Sequence, residues 1–208
     1  YVYIAYLDAY LLTRHPERRF ELINLGLASE TVSGLSEAGH AGGKFPRPSL
    51  HDRLDRALKE TRPDLVVACY GINDGIYQPL NEERFAAYRQ GIHKLAEQVR
   101  GAGAKLILLT PPVFDPLPIQ SKTSPDGHAA PYVDYDQVLT RYSQWLLDQR
   151  QAGWVVGDIH GPMLAHLQAR RSKEPQFTFS RDGVHPGPAG HWMMAAAVLE
   201  AIGATAEG

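Results

Sequence analysis

Close to the C-terminal end of the chain, Arg181-Asp182-Gly183-Val184-His185-Pro186 sets an acid three residues before a histidine in a Gly/Pro-rich turn. An imidazole works as a general base when a carboxylate fixes its tautomer and stabilises the imidazolium, so this spacing offers two members of a nucleophile, base and acid relay. Asp also opens turns and His also sits on surfaces, so the pair alone has an ordinary structural reading. Two further stretches strengthen the chemical one. Tyr70-Gly71-Ile72-Asn73-Asp74 follows the apolar run Leu65 to Cys69, and Asn24-Leu25-Gly26-Leu27-Ala28-Ser29 follows Phe20 to Ile23. Both fall where strands run out into loops, the edge of an open α/β sheet at which ligands bind.

The elements that would position these loops can be read from hydrophobic periodicity. Tyr1 to Leu12 reads as a helix stopped near Pro16, Phe20 to Asn24 as a strand, and Ser33 to Pro48 as a glycine-rich loop before a helix carrying Leu50, Leu54 and Leu58. Strand Leu65 to Cys69 precedes the clearest helix, whose Phe85, Tyr88, Ile92, Leu95 and Val99 aim one apolar stripe at the sheet, with Asn81 as its cap and Gly101 and Gly103 beyond its end. Lys105 to Thr110 is a strand; Tyr135 to Leu146 carries a helical stripe; Trp154 to Asp158 is the last strand. A short helix around Met163 and a final helix after Pro188 complete the chain, leaving His185 in the loop before the last helix. Strands alternating with helices predict a parallel sheet covered on both faces.

In order and placement these blocks resemble the SGNH or GDSL hydrolases, serine esterases with a flavodoxin-like three-layer α/β/α sandwich. Gly26 matches that family's second block, Gly71 to Asp74 its third and Asp182 to His185 its last. The resemblance implies that His185 is the base, Asp182 its orienting carboxylate, and the Gly26 backbone N–H and Asn73 side-chain amide the donors of an oxyanion hole. It implies ester hydrolysis of a small-molecule substrate, possible in several acyl classes including carbohydrate deacetylation, with no metal or organic cofactor. Asp74 is expected to brace its loop through backbone N–H groups.

The family's first block departs: no Gly-Asp-Ser occurs between Tyr1 and Gly208. In the family that block ends the first strand and leads into the first helix, and the flavodoxin-like order puts this strand between those ending at Asn24 and Cys69. The expectation is therefore one SGNH-like domain over residues 1–208, N-terminally incomplete, with the nucleophilic Ser upstream of Tyr1. Ser29 is a weaker candidate nucleophile, because its segment's role in the family is donation; Ser180 reads as a turn residue. The rival function is a noncatalytic ligand- or carbohydrate-binding protein that kept the pocket and lost the serine.

Composition bounds the alternatives. A hydrophobic fraction of 44%, a charged fraction of 21% and a net charge of -2 suit one α/β domain of 208 residues, without the basic run that nucleic acid would demand. No apolar stretch approaches the roughly 20 residues that span a bilayer. The single Cys69, at the end of an apolar strand, reads as a structural thiol. Asp158-x-His160 beside Asp182-x-x-His185 would permit a metal hydrolase, but no His-x-x-x-His helix or cysteine pair accompanies them. The connection from Pro111 to Tyr132, dense in proline, is expected to be either a substrate-shaping lid or a surface insertion. Compartment and oligomeric state leave no mark on these residues.

Overall fold

A computed structural model describes residues 2–119 and 131–204. Its centre is a parallel sheet of β1 (Leu65–Cys69), β2 (Lys105–Leu109) and β3 (Val155–Gly157), in that order across the sheet. The register aligns Val67 with Ile107 and Ile107 with Val155. Alternation along these apolar runs sends Ala68, Leu108 and Val156 to one face and Ile107 and Leu109 to the other, as a strand buried on both sides requires. The first face is covered by α2 (Leu54–Thr61), α3 (Glu82–Gly101) and α4 (Tyr135–Asp148). The second packs on α1 (Val2–Arg14) and α6 (Pro188–Ala201), while α5 (His160–Arg171) forms a third small core with Val113 and Phe179. The outcome is a three-layer α/β arrangement, as the resemblance implied.

The helices start and stop for local reasons. Asn81 caps α3 by accepting the Arg84 N–H at 2.9 Å, and Pro188 occupies the first turn of α6, where no intrahelical N–H bond is lost. Gly101 is the last residue of α3 and Gly103, at φ 81°, lies beyond it. The α3 stripe meets α4 through stacked rings: Tyr142 sits 4.4 Å from Tyr88 and 5.0 Å from Phe85 between centroids. From α4 the Tyr135 hydroxyl then donates to the Ile72 carbonyl at 2.8 Å, so a core contact reaches the loop that carries Asn73.

One sequence expectation needs correction. Phe20 to Asn24 forms no strand: residues 19–27 have no regular structure, and Phe20, Leu22, Ile23, Leu25 and Leu27 are exposed. A strand exists only against a paired edge. Among the described residues nothing lies between this segment and β1, whose outer edge is unpaired. What separates them is a groove of about 2550 Å3, walled by core side chains such as Leu54, Leu58, Val66 and Leu7. The connection after β2 begins inside the fold. Pro111 to Asp115, which open it, are buried. Residues 120–130, where a lid would lie, are outside the described residues.

The site loops are held against α3 by close backbone approach. A Cβ on Gly91 would collide with the Val32 carbonyl oxygen, whereas one on Gly101 of the same helix would meet nothing within 4 Å. Gly91→Ala should therefore destabilise the fold by about 1–3 kcal/mol through overpacking. Gly101→Ala should be neutral or stabilising by up to about 1 kcal/mol through helix propensity. Urea unfolding of both variants measures the contrast, which equal midpoints would contradict.

Candidate active site

The Asp182 to His185 turn is built around one carboxylate. Asp182 Oδ1 accepts the backbone N–H of Val184 at 3.0 Å and of His185 at 2.9 Å, together with the Ser180 hydroxyl at 2.7 Å. Its Oδ2 lies 2.7 Å from His185 Nδ1. Because an ionised carboxylate only accepts, Nδ1 is the donor in this contact. Burial alone would raise the Asp182 carboxyl; the hydrogen bonds from His185 and Ser180 overcome it and hold the group well below the usual carboxylate range. Gly183 makes the turn possible at φ 80°, where an added Cβ would overlap the Asp115 carbonyl oxygen, and its own carbonyl accepts the Asp115 N–H at 2.9 Å.

Across the groove mouth, Asp74 is wholly buried and does what its place in the motif suggested. Its Oδ1 accepts the N–H groups of Val32 at 3.0 Å and Ser33 at 2.8 Å, and its Oδ2 accepts Gly71 at 3.0 Å. Burial is the largest influence on this carboxyl and leaves it raised despite those donors. The neighbouring Asn73 has its amide orientation fixed from both ends. Its Oδ1 receives Arg47 Nη1 at 3.2 Å and the Tyr77 hydroxyl at 3.1 Å, while Nδ2 donates to the Glu30 carbonyl at 3.2 Å. One Nδ2 hydrogen remains for a ligand. Arg47 is itself held by Glu37, with both N···O distances 2.7 Å, and lies over the Tyr77 ring.

Gly26, Asn73, Asp182 and His185 all line the groove. Gly26 differs from the others in that its N–H is taken by the Asn24 side chain at 2.9 Å, in the segment that forms no strand. Ser29 lines the groove too, at φ 63°, but makes no hydrogen bond to His185; its carbonyl accepts Arg47 at 3.4 Å. The pairing of Asp158 with His160 separates in space: Asp158 accepts from Thr110 and Gly161, whereas His160 Nε2 lies 3.2 Å from the Thr140 hydroxyl and 3.6 Å from Asp136. Among the described residues no group of three His, Cys, Asp or Glu side chains is arranged to hold a metal. Desolvation pushes the Cys69 thiol up to about 12, which suits the structural role expected of it. No described helix is long and apolar enough to cross a membrane.

Three groups were not singled out from sequence: Arg47 with Glu37, the Glu30, Arg53 and Tyr70 cluster beside them, and Asp115 with Arg171 and Thr178 behind the histidine turn. Ser180, read as a turn residue, also donates to the acid of the pair. Arg47 and Asn73 are 26 residues apart and Arg171 and Asp115 are 56 apart, distances that carry no periodic signal.

With this geometry in view, comparison with known proteins is decisive for class. Residues 3–193 match the GDSL-like lipase/acylhydrolase family, and the chain belongs to it. It is a carboxylic ester hydrolase of the SGNH fold. The structure is similar to Axe2, an acetylxylan esterase from Geobacillus stearothermophilus, with a TM-score of 0.63 and 22% identity over 98% of this chain and 81% of that one. A catalytic mutant of Axe2 with a serine replaced by alanine gives a TM-score of 0.68 at 21% identity and the same coverage. LAE5, an alpha/beta hydrolase enzyme from the metagenome of Lake Arreo in Spain, gives 0.63 at 26% identity over 97% of this chain and 81% of its own. A gut microbial diltiazem-metabolizing enzyme gives 0.69 at 21% identity over 97% of this chain but 43% of that one. No curated protein matches.

The depressed Asp182 carboxyl carries a sign that can be measured. A group lowered in the folded state stabilises it above the unfolded value, near 3.9, and the contribution disappears as pH falls through the folded value. The stability difference between the protein and its Asp182→Asn variant should therefore narrow as pH falls below about 4. Urea unfolding at stepped pH reads it, and a gap that widens in acid would reverse the assignment.

Proposed function

We propose that the ester hydrolysis proceeds through a Ser-His-Asp relay in which His185 is the base and Asp182 its orienter. The observation that carries this reading is the 2.7 Å contact between Asp182 Oδ2 and His185 Nδ1, two residues that line the groove, which engages Nδ1 and not Nε2. The nucleophile is a serine on an extended segment outside these 208 residues, occupying the groove and pairing with the free edge of β1. The unpaired edge, the apolar walls and the serine whose replacement makes a catalytic mutant of Axe2 support that assignment. On this reading residues 1–208 are most of one domain whose site is completed by that segment.

In the first half-reaction the serine oxygen attacks the ester carbonyl while Nε2 takes its proton, and Asp182 stabilises the imidazolium. The free Nδ2 hydrogen of Asn73 stabilises the oxyanion, and the Gly26 N–H joins it once released from the Asn24 side chain. The imidazolium then protonates the departing alcohol, and water repeats the sequence on the acyl-enzyme. A small acyl group on a soluble or carbohydrate alcohol is the substrate class favoured by the acetylxylan esterase among the structural neighbours.

Fluorophosphonate labelling of the natural gene product, followed by peptide mapping, should find the modified serine outside residues 1–208. A label on Ser29 would overturn the nucleophile assignment, and a folded product that takes no label would favour the noncatalytic binding protein. In the same preparation His185→Ala should lower kcat for a nitrophenyl acetate by about 10³-fold or more. Asn73→Ala should cost about 10²–10³-fold in kcat with little change in KM, as for a donor used mainly in the transition state. Unchanged kcat in either variant would return that residue to a structural role.

A further inference from the structure

The turn that carries Asp182 and His185 is anchored to a polar chain beneath it. Asp115 is 3% exposed, an unfavourable place for a carboxylate unless every oxygen is answered. Arg171, at the end of α5, answers both: its Nη2 lies 2.8 Å from Oδ1 and 2.7 Å from Oδ2. Oδ1 also accepts the Leu117 N–H at 3.1 Å, and Oδ2 lies 2.6 Å from the Thr178 hydroxyl. Thr178 Oγ1 has the Ser180 carbonyl as a second acceptor at 2.7 Å and receives the Ser180 N–H at 3.1 Å. Ser180 then donates its own hydroxyl to Asp182 at 2.7 Å. Separately, the Asp115 N–H reaches the Gly183 carbonyl inside the turn at 2.9 Å.

We propose that Asp115, Arg171 and Thr178 are positioning residues for the Asp182 and His185 pair, acting through Ser180 and the Gly183 carbonyl. The proposal rests on the reading of His185 as base. The turn needs such an anchor because it is exposed: the His185 side chain is 83% and the Asp182 side chain 55% accessible, so apolar packing does little to fix either ring or carboxylate. A buried ion pair contributes little net stability, since desolvation offsets much of its attraction, but it permits few geometries. Thr178 converts that rigidity into the position of Ser180, and Ser180 sets the carboxylate that in turn sets the imidazole. A base misplaced by about 1 Å loses roughly 10²-fold in rate, so the chain acts on turnover rather than on binding.

The experiment compares Thr178→Val, which keeps the shape and removes the hydroxyl, with Thr178→Ser, which keeps the hydroxyl. His185→Ala runs in parallel on the natural gene product with a nitrophenyl acetate, and rates are expressed per mole of folded protein. Thr178→Val should fold, keep its KM and lose about 10- to 100-fold in kcat, and Thr178→Ser should restore most of it. If Thr178→Val does not fold, Ser180→Ala carries the test with the same expected loss. A folded Thr178→Val or Ser180→Ala protein with unchanged kcat, beside an inactive His185→Ala, would overturn the positioning role while leaving the base in place. Full activity in His185→Ala would instead remove the base itself, and the proposal with it.

Discussion

A carboxylate with no access to water must have its oxygens met by donors, and Asp74 meets that requirement by joining two loops that are remote in sequence. Its oxygens take the N–H groups of Val32, Ser33 and Gly71, so the 31–33 segment and the loop after β1 are one polar unit. Everything on that side of the groove mouth follows from this union. Gly91 lets α3 come close enough to support it, Tyr135 ties the loop to α4, and Asn73 is left one residue away with its amide turned by Arg47 and Tyr77.

The opposite side of the mouth is organised on the same principle at two levels. Asp182 gathers the N–H groups of its own turn, a local arrangement that three-residue spacing permits. Asp115 gathers groups from α5, from the strand-end segment and from the threonine before the turn. His185 and Asp182 are thus exposed side chains on a turn anchored to the buried Asp115. Such an arrangement leaves the imidazole exposed while limiting its freedom, which hydrophobic packing could not do at an exposed turn.

Between the two sides runs the groove, where the main physical tension of these residues lies. Among the described residues one edge of β1 is unpaired, and core leucines and valines line the groove beside it. The exposed apolar side chains from Phe20 to Leu27 are the other half of the same mismatch. An extended segment in the groove would pair the edge, cover the walls and give the Phe20 to Asn24 stretch a neighbour, so the proposed nucleophile strand resolves packing and chemistry together.

How much was legible beforehand divides along the range of the interactions involved. Apolar runs and three-four rhythms in the sequence determined β1, β2, β3, α3 and α4, because burial of one face depends on spacing within the element. The Asp182 and His185 contact was equally legible, being made within one turn, and the motif around Asp74 announced its bracing role. The strand expected at Phe20 was not realised, since a strand needs a partner that its own residues do not supply. Tertiary structure alone decided that Arg47 turns the Asn73 amide, that the Gly26 N–H is engaged by Asn24, and that Asp115, buried after β2, meets Arg171. Polar contacts between distant residues have no period, and only the folded chain brings their donors and acceptors within reach.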